Sequence, residues 1–367
     1  MRINVTKATL PTFEEYCEEI KDIWETHWLT NNGVKHHEFA EKLSKYLKIK
    51  NVVLYTNGHL ALEAAIALFN FPKDSEIITT PFTFISTSNA IVRNGLTPVF
   101  CDIKEDDYTI DCDKIEELIT EKTVAILPVH IYGNPCDVKR IEEIASKHNL
   151  KVIYDAAHAF GVKILDRSIA SFGDVSMFSF HATKVFNTIE GGALCFKNDQ
   201  YTQIFNDMKN FGIRNEEESL FIGGNAKMSE FQACMGICNL RHIKQNIEKR
   251  KKLFEKYITC LKNIKGIKLP KINPGVISNY SYFPVVFEGY KYSRDQVKAL
   301  LEKCDIGTRK YFFPLVSDFE CYQGFTKGNT PIAHKISERV LTLPLYPDLS
   351  IQDVIKISKI IKNGHDN

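Results

Sequence analysis

Between residues 50 and 196 short apolar runs alternate with amphipathic stretches. The runs fall at 52–55, 76–79, 98–100, 125–129, 152–155, 175–180 and 193–196. Between them, 60–69 and 138–147 carry apolar residues at helical spacing. Near-continuous apolar runs predict strands buried on both faces. Their alternation with helices predicts an α/β fold, with a mostly parallel sheet between helices. From 226 to 263 the pattern is helical, because Met228, Phe231, Met235 and Cys238 recur three and four residues apart. The charged run at 248–252 reads as the solvated face of that helix. The remainder mixes a strand at 282–287 with helices at 294–303 and 351–362. Residues 1–240, with an N-terminal arm, are therefore expected to form a large domain. Residues 241–367 are expected to form a smaller C-terminal α+β domain, with the hinge in the long helical stretch.

Charge adds an exclusion. Lysine and arginine number 47 against 45 acidic residues, a formal net charge of +2. No global field draws in nucleic acid or an anionic membrane, which leaves room only for a local basic pocket. No apolar stretch approaches the ~20 residues that span a bilayer. The first residues lack the apolar segment of a secretory signal, so the expected location is the cytoplasm. The sequon at Asn4 is read as chance. Ten cysteines form no Cys-x-x-Cys pair and no Cys/His spacing suited to zinc. Reduced, mostly buried thiols and no metal are expected.

The chemistry concentrates at two strand ends. The run at 152–155 closes on Asp155, with His158 just beyond. The run at 175–180 leads through Ser179 and His181 to Lys184, and Gly191-Gly192 follows. Carboxyl ends of parallel strands face one crevice, where ligands of such sheets bind. A carboxylate and an amine meeting there are the pair pyridoxal 5′-phosphate (PLP) requires. The lysine carries the cofactor as a Schiff base, and the acid keeps the pyridine nitrogen protonated so that the ring acts as an electron sink. Alone, Asp155 would read as a helix cap and Lys184 as a surface residue. Together, with a hydroxyl before the lysine and two glycines after it, they read as a site.

Three segments carry a resemblance: D-A-A-H-A-F-G at 155–161, S-F-H-A-T-K-V-F-N-T-I-E-G-G-A at 179–193 and G-G-N-A-K-M-S-E-F-Q-A at 223–233. They resemble the DegT/DnrJ family of sugar-nucleotide aminotransferases, which are fold-type I PLP enzymes. The similarity runs from Asn4 to about Asp348. It is greatest to members that aminate C4 of dTDP-4-keto-6-deoxyglucose, through 28–33, 77–84, 129–136 and 308–314.

The resemblance implies roles. Lys184 is the Schiff-base lysine and proton shuttle, and Asp155 pairs with the pyridine nitrogen. Ser179 binds the phosphate together with the turn of Gly58, His59 and Leu60, which opens a helix where N–H groups favour an anion. Phe84 stacks on the cofactor; otherwise it is a core phenylalanine. Asn225 reaches the phosphate of a neighbouring subunit, which implies a homodimer with shared active sites; otherwise it caps a helix. His158 stands where many members carry glutamine, and is read as a cofactor contact or a structural histidine. His59 stands where many carry a small hydroxyl residue, so its backbone N–H is the expected contact. His181 faces substrate or packs. Lys227, Arg214 and Arg309 are candidates for gripping a diphosphate or a donor carboxylate.

The implied reaction is ping-pong transamination from L-glutamate to a 4-keto sugar nucleotide. One released lysine serves as the base in both half-reactions. Three alternatives stand beside it. A C3 sugar aminotransferase differs only in how the sugar lies over the cofactor. A dehydratase of the same fold replaces the lysine with histidine, which Lys184 argues against. A non-catalytic sensory or binding homologue has no need of Lys184 and Asp155 together.

Overall fold

The computed structural model describes residues 2–325 and 328–364. Its centre is a seven-stranded sheet: β1 (Asn51–Tyr55), β2 (Glu76–Thr79), β3 (Thr97–Phe100), β4 (Thr123–Ile126), β5 (Lys151–Asp155), β6 (Val175–Ser179) and β7 (Gly192–Phe196). The order across the sheet is β1-β7-β6-β5-β4-β2-β3. All neighbouring pairs are parallel except those of β7, which runs antiparallel to both β1 and β6. The reason is the link at 180–191. It contains no helix to carry the chain back to the starting edge, so the strand after it returns in the opposite sense. The run expected to reach residue 129 leaves regular strand after Ile126. Pro128 has no N–H for a ladder, and its carbonyl accepts from the Asp155 N–H at 3.0 Å.

Side chains alternate between two cores. Leu54, Ile78, Val152 and Phe178 point into one, with α2 (Val34–Leu47), α5 (Val138–His148) and the start of α7 (Glu230–Leu261). Val53, Ile77, Ile153 and Met177 point into the other, with α3 (Gly58–Ala67), α4 (Ser86–Arg93) and α6 (Tyr201–Met208). Both faces are covered, which is why the strands read as unbroken apolar runs. A third core joins a small sheet, Ile267–Lys268, Phe283–Phe287 and Val340–Leu343, to α8 (Arg294–Lys303) and α10 (Ile351–Asn363), while α1 (Phe13–Thr26) lies along α7 and α9 (Pro331–Ser337) precedes the last of these strands.

The boundary expected at 240 falls inside α7. This helix opens on a capping box, Ser229 with Gln232, and continues unbroken for 32 residues. Ala233 and Ile237 sit in the first core, and Leu253, Tyr257 and Leu261 in the third. A continuous helix thus spans both units where a hinge was expected. The N-terminal arm packs with the C-terminal unit: Ile3 bonds Asp305 and Gly307, and the Val5 carbonyl accepts from Leu345.

Candidate active site

Register sets the site. Across the sheet Asp155 pairs with Met177, and Gly192 pairs with both Ser179 and Tyr55. The carboxyl ends of β1, β5 and β6 therefore meet at one edge. Beyond β1, Asn57 caps α3 by accepting from the Leu60 N–H at 2.8 Å. The turn then lies directly on the strand ends. A Cβ on Gly58 would stand 2.8 Å from Ser179 Cβ, and one on Gly192 would stand 2.7 Å from the Asn57 carbonyl carbon. Only hydrogen fits at either position. The N–H groups of Gly58 and His59 are among those the first helical turn leaves without intrahelical partners. With the Ser179 hydroxyl beside them, they form an anion cradle.

A cavity of about 520 Å³ opens above this edge. The expected residues Gly58, His59, Phe84, Asp155, His158, Ser179, His181, Lys184 and Arg309 all line it. Asp155 is buried. Its Oδ1 accepts from the Ala157 N–H at 3.0 Å and its Oδ2 from the Thr87 hydroxyl at 2.8 Å. Burial raises its proton affinity, and those two donors and the Lys184 charge work against that rise. Lys184 hangs from the 180–191 link. Burial pulls its amine below the usual lysine range, while Asp155 and Tyr311 oppose the shift. The lysine is thus placed to supply a neutral amine.

His158 is buried and held neutral, by burial first and by the Lys184 charge second. Its Nδ1 accepts from the Tyr132 N–H at 3.2 Å, so its hydrogen sits on Nε2. The His59 ring turns away from the cradle to Ser86 at 2.8 Å and Glu63 at 2.9 Å, leaving its backbone N–H as the contact. Phe84 is 56% exposed within the cavity wall, which removes the reading of it as a core residue. His181 accepts from the Thr183 N–H through Nδ1 and faces Glu190 with Nε2 at 3.5 Å.

Four candidates lie outside the cavity lining. Leu60 N–H is spent on the Asn57 cap. Arg214 is tied to Asp207 at 2.6 Å, and Lys227 to Asn210 at 2.7 Å over the Phe211 ring. Asn225 is exposed, at the base of a hairpin formed by Ile213–Asn215 and Glu218–Ser219.

Several lining residues escape a reading of the sequence. Thr83, Glu190, Tyr282, Tyr311 and Phe312 all face the cavity. The last three come from the C-terminal unit and form the roof, and the Tyr132 hydroxyl donates to the Tyr311 carbonyl. The segment at 308–314 carries part of the resemblance, but no local pattern marks its aromatic residues as a cavity wall.

A methyl-tight anion cradle, a buried acid and a lysine of lowered basicity facing one cavity fit PLP. The phosphate would lie on the Gly58 turn, the ring nitrogen at Asp155 and the reactive carbon at Lys184. Fold and site together define a PLP-dependent aminotransferase. The chain belongs to the DegT/DnrJ/EryC1/StrS aminotransferase family, matched over residues 12–362. It is 42% identical over 365 residues, 98% of each chain, to dTDP-4-amino-4,6-dideoxy-D-glucose transaminase of Escherichia coli. It is 41% identical over 350 residues, 95% of each chain, to the enzyme of the same name from Shigella dysenteriae. Among solved structures, DesI in the presence of its TDP-sugar product superposes with a TM-score of 0.92 at 29% identity, covering 99% of this chain and 94% of that one. Among the described residues no helix is long and apolar enough to cross a membrane.

Proposed function

We propose that the protein transfers the amino group of L-glutamate to C4 of a nucleotide-linked 4-keto-6-deoxy sugar, with dTDP-4-keto-6-deoxy-D-glucose as acceptor. The product is a 4-amino-4,6-dideoxy sugar nucleotide of the kind consumed in surface polysaccharide or glycan synthesis. The observation that carries the reaction is the Lys184 amine opposed to the buried Asp155 carboxylate across one cavity. The two transaminases of about 40% identity support the choice of sugar.

When bound, PLP supplies the electron sink that stabilises charge at the carbon losing its proton. The chain does the rest. The Gly58 turn and Ser179 hold the phosphate, and Asp155 holds the proton on the ring nitrogen. His158 presents an Nε2 hydrogen without adding charge. Lys184 Nζ takes the proton from the donor carbon and returns it to the cofactor carbon. Its lowered basicity favours the neutral amine that accepts that proton. Arg309, whose guanidinium lies 4.8 Å from the Tyr311 ring centre at the roof, is the permanent cation of the lining and grips a carboxylate or diphosphate.

The active form is a homodimer with shared sites. Asn225 is exposed beside a hairpin whose Ile222 is fully exposed and whose Phe211 and Leu220 are about half exposed. Apolar side chains grouped on one projecting segment mark an interaction surface. A two-fold axis would bring the partner's copy of this segment to each cavity.

The test is direct. The holoenzyme is incubated with L-glutamate and a panel of dTDP-, UDP- and GDP-linked keto sugars, and the products are assigned by NMR. A 4-amino dTDP sugar is expected. A 3-amino product, or turnover confined to another nucleotide, overturns the substrate assignment. Absence of any amino transfer to the panel overturns the proposal.

A further inference from the structure

We propose that Thr87 is a positioning residue for Asp155, the inner end of a directed relay, Thr83 to Thr87 to Asp155, that keeps the proton on the ring nitrogen of the cofactor. The inference rests on Asp155 as the partner of that nitrogen. Thr87 lies in the first turn of α4 and is fully buried. Its Oγ1 is 2.8 Å from Asp155 Oδ2 and 3.0 Å from Thr83 Oγ1, and Thr83 lines the cavity.

Counting hydrogens fixes the direction. An ionised carboxylate donates nothing, and a threonine hydroxyl has one hydrogen. The Thr87 hydrogen goes to Asp155, so the 3.0 Å contact is carried by the Thr83 hydrogen. Ala157 N–H holds the other carboxylate oxygen. One donor on each oxygen fixes the plane of the carboxylate and leaves its remaining lone pairs for the ring nitrogen. Helix α4 does not need the Thr87 hydroxyl, because the Thr87 N–H bonds the Phe84 carbonyl through the backbone at 3.2 Å.

The relay matters because of where Asp155 sits. Burial makes the carboxylate a stronger base, and a stronger base draws the proton off its pyridinium partner. A donated hydrogen bond weakens that base and returns the proton to the ring. Among the described residues the charged group acting on Asp155 is Lys184, which also acts on His158 and faces Tyr311 of the roof. Among the described residues Thr87 alone donates to Asp155 Oδ2.

Thr87→Val keeps the shape and removes the hydrogen, and Thr87→Ser keeps the hydrogen. The holoenzymes are compared by the visible absorption of the bound cofactor across pH, by affinity for PLP, and by kcat and KM for glutamate. In Thr87→Val the absorption midpoint should rise by about one pH unit, because a less positive ring holds the proton on the adjoining lysine nitrogen more tightly. PLP affinity and kcat should each fall roughly ten-fold with KM little changed, the scale of a hydrogen bond to a charged group. Thr87→Ser should restore all three. Asp155→Asn, run beside them, separates the two claims. If it leaves the midpoint in place, the Asp155 assignment and the relay fall together. If it moves the midpoint while Thr87→Val does not, the relay alone falls. Losses that serine does not restore mark a packing defect and overturn the relay. If the valine variant does not fold, Thr83→Val reads the relay one step further out. A smaller shift in the same direction supports it and no shift overturns it.

Discussion

Gly58, Asp155 and Ser179 sit at strand ends where one added methyl would collide and where the acid is bonded through both oxygens. The segment at 211–225 holds Phe211, Leu220 and Ile222 out in solvent and meets the site at its base. There the Ala226 carbonyl accepts from the Thr56 N–H at 2.8 Å, beside the phosphate turn. The first region is set by sheet register within the chain. The second is a surface without a partner in one chain. Register preorganises the strand ends, whereas the exposed apolar segment is the surface on which the proposed dimer would form.

The largest expected effect falls on the strand-end region. Lys184→Ala should reduce turnover by at least roughly 10³-fold, because the proposed mechanism assigns both proton transfers to its amine. PLP should still bind non-covalently, since the cradle and Asp155 are untouched, and equilibrium dialysis reads this. Turnover near wild type would remove Lys184 from its role.

Asp155→Asn preserves shape but not charge. A loss of roughly 10²-fold in kcat is expected, the scale of removing a preorganised electrostatic contact. Activity within a few-fold of wild type would remove Asp155 from its role.

What the sequence reveals follows the same division. Lys184, Asp155, Ser179 and Gly58 are legible because strand ends and a helix opening leave local signals in a short span. The strands are legible because both faces are buried. Thr87, Tyr282, Tyr311 and Phe312 are not, since a threonine one turn into a helix and aromatics in a distant unit gain meaning only through tertiary contact. The boundary in α7 is hidden for a related reason: a continuous amphipathic pattern does not show which core each turn enters. Arg214 and Lys227 looked like free cations. Their partners Asp207 and Asn210 lie nearby in the chain, but only the fold shows that they are paired.

The hairpin is probed by mixing two damaged chains. If Asn225 serves the partner's site, a dimer of one Asn225→Ala chain and one Lys184→Ala chain places both lesions in one site and leaves the other intact. With random exchange half the dimers are mixed, so about a quarter of wild-type activity should return, from two weakly active parents. If Asn225 acts within its own chain, each site carries one lesion and nothing returns. Activity after verified exchange separates the two.

The smallest effect lies on the seam between the regions, at Lys209. Its carbonyl accepts from the Ala226 N–H at the hairpin base, and its buried Nζ bonds the Leu54 carbonyl at 3.1 Å and His36 Nε2 at 3.3 Å. No carboxylate accompanies it among those bonds. Burial first, and the charge of Lys227 second, bring its pKa down to about 7. An unfolded lysine titrates near ~10.4. Between these values the unfolded chain binds the proton more tightly than the folded one, so this group makes stability rise with pH across that window. Below about pH 7 both states are protonated and the cost of the buried charge is present in full. Lys209→Met removes that cost while forfeiting two hydrogen bonds. Its Tm should therefore exceed wild type by a few degrees at about pH 6, with the gain shrinking steadily toward about pH 10. Scanning calorimetry of the two holoenzymes across that range reads the difference. A gain that grows with pH, or a variant less stable at about pH 6, would mean that burial does not depress the Lys209 pKa and that groups beyond His36 and Leu54 stabilise its charge.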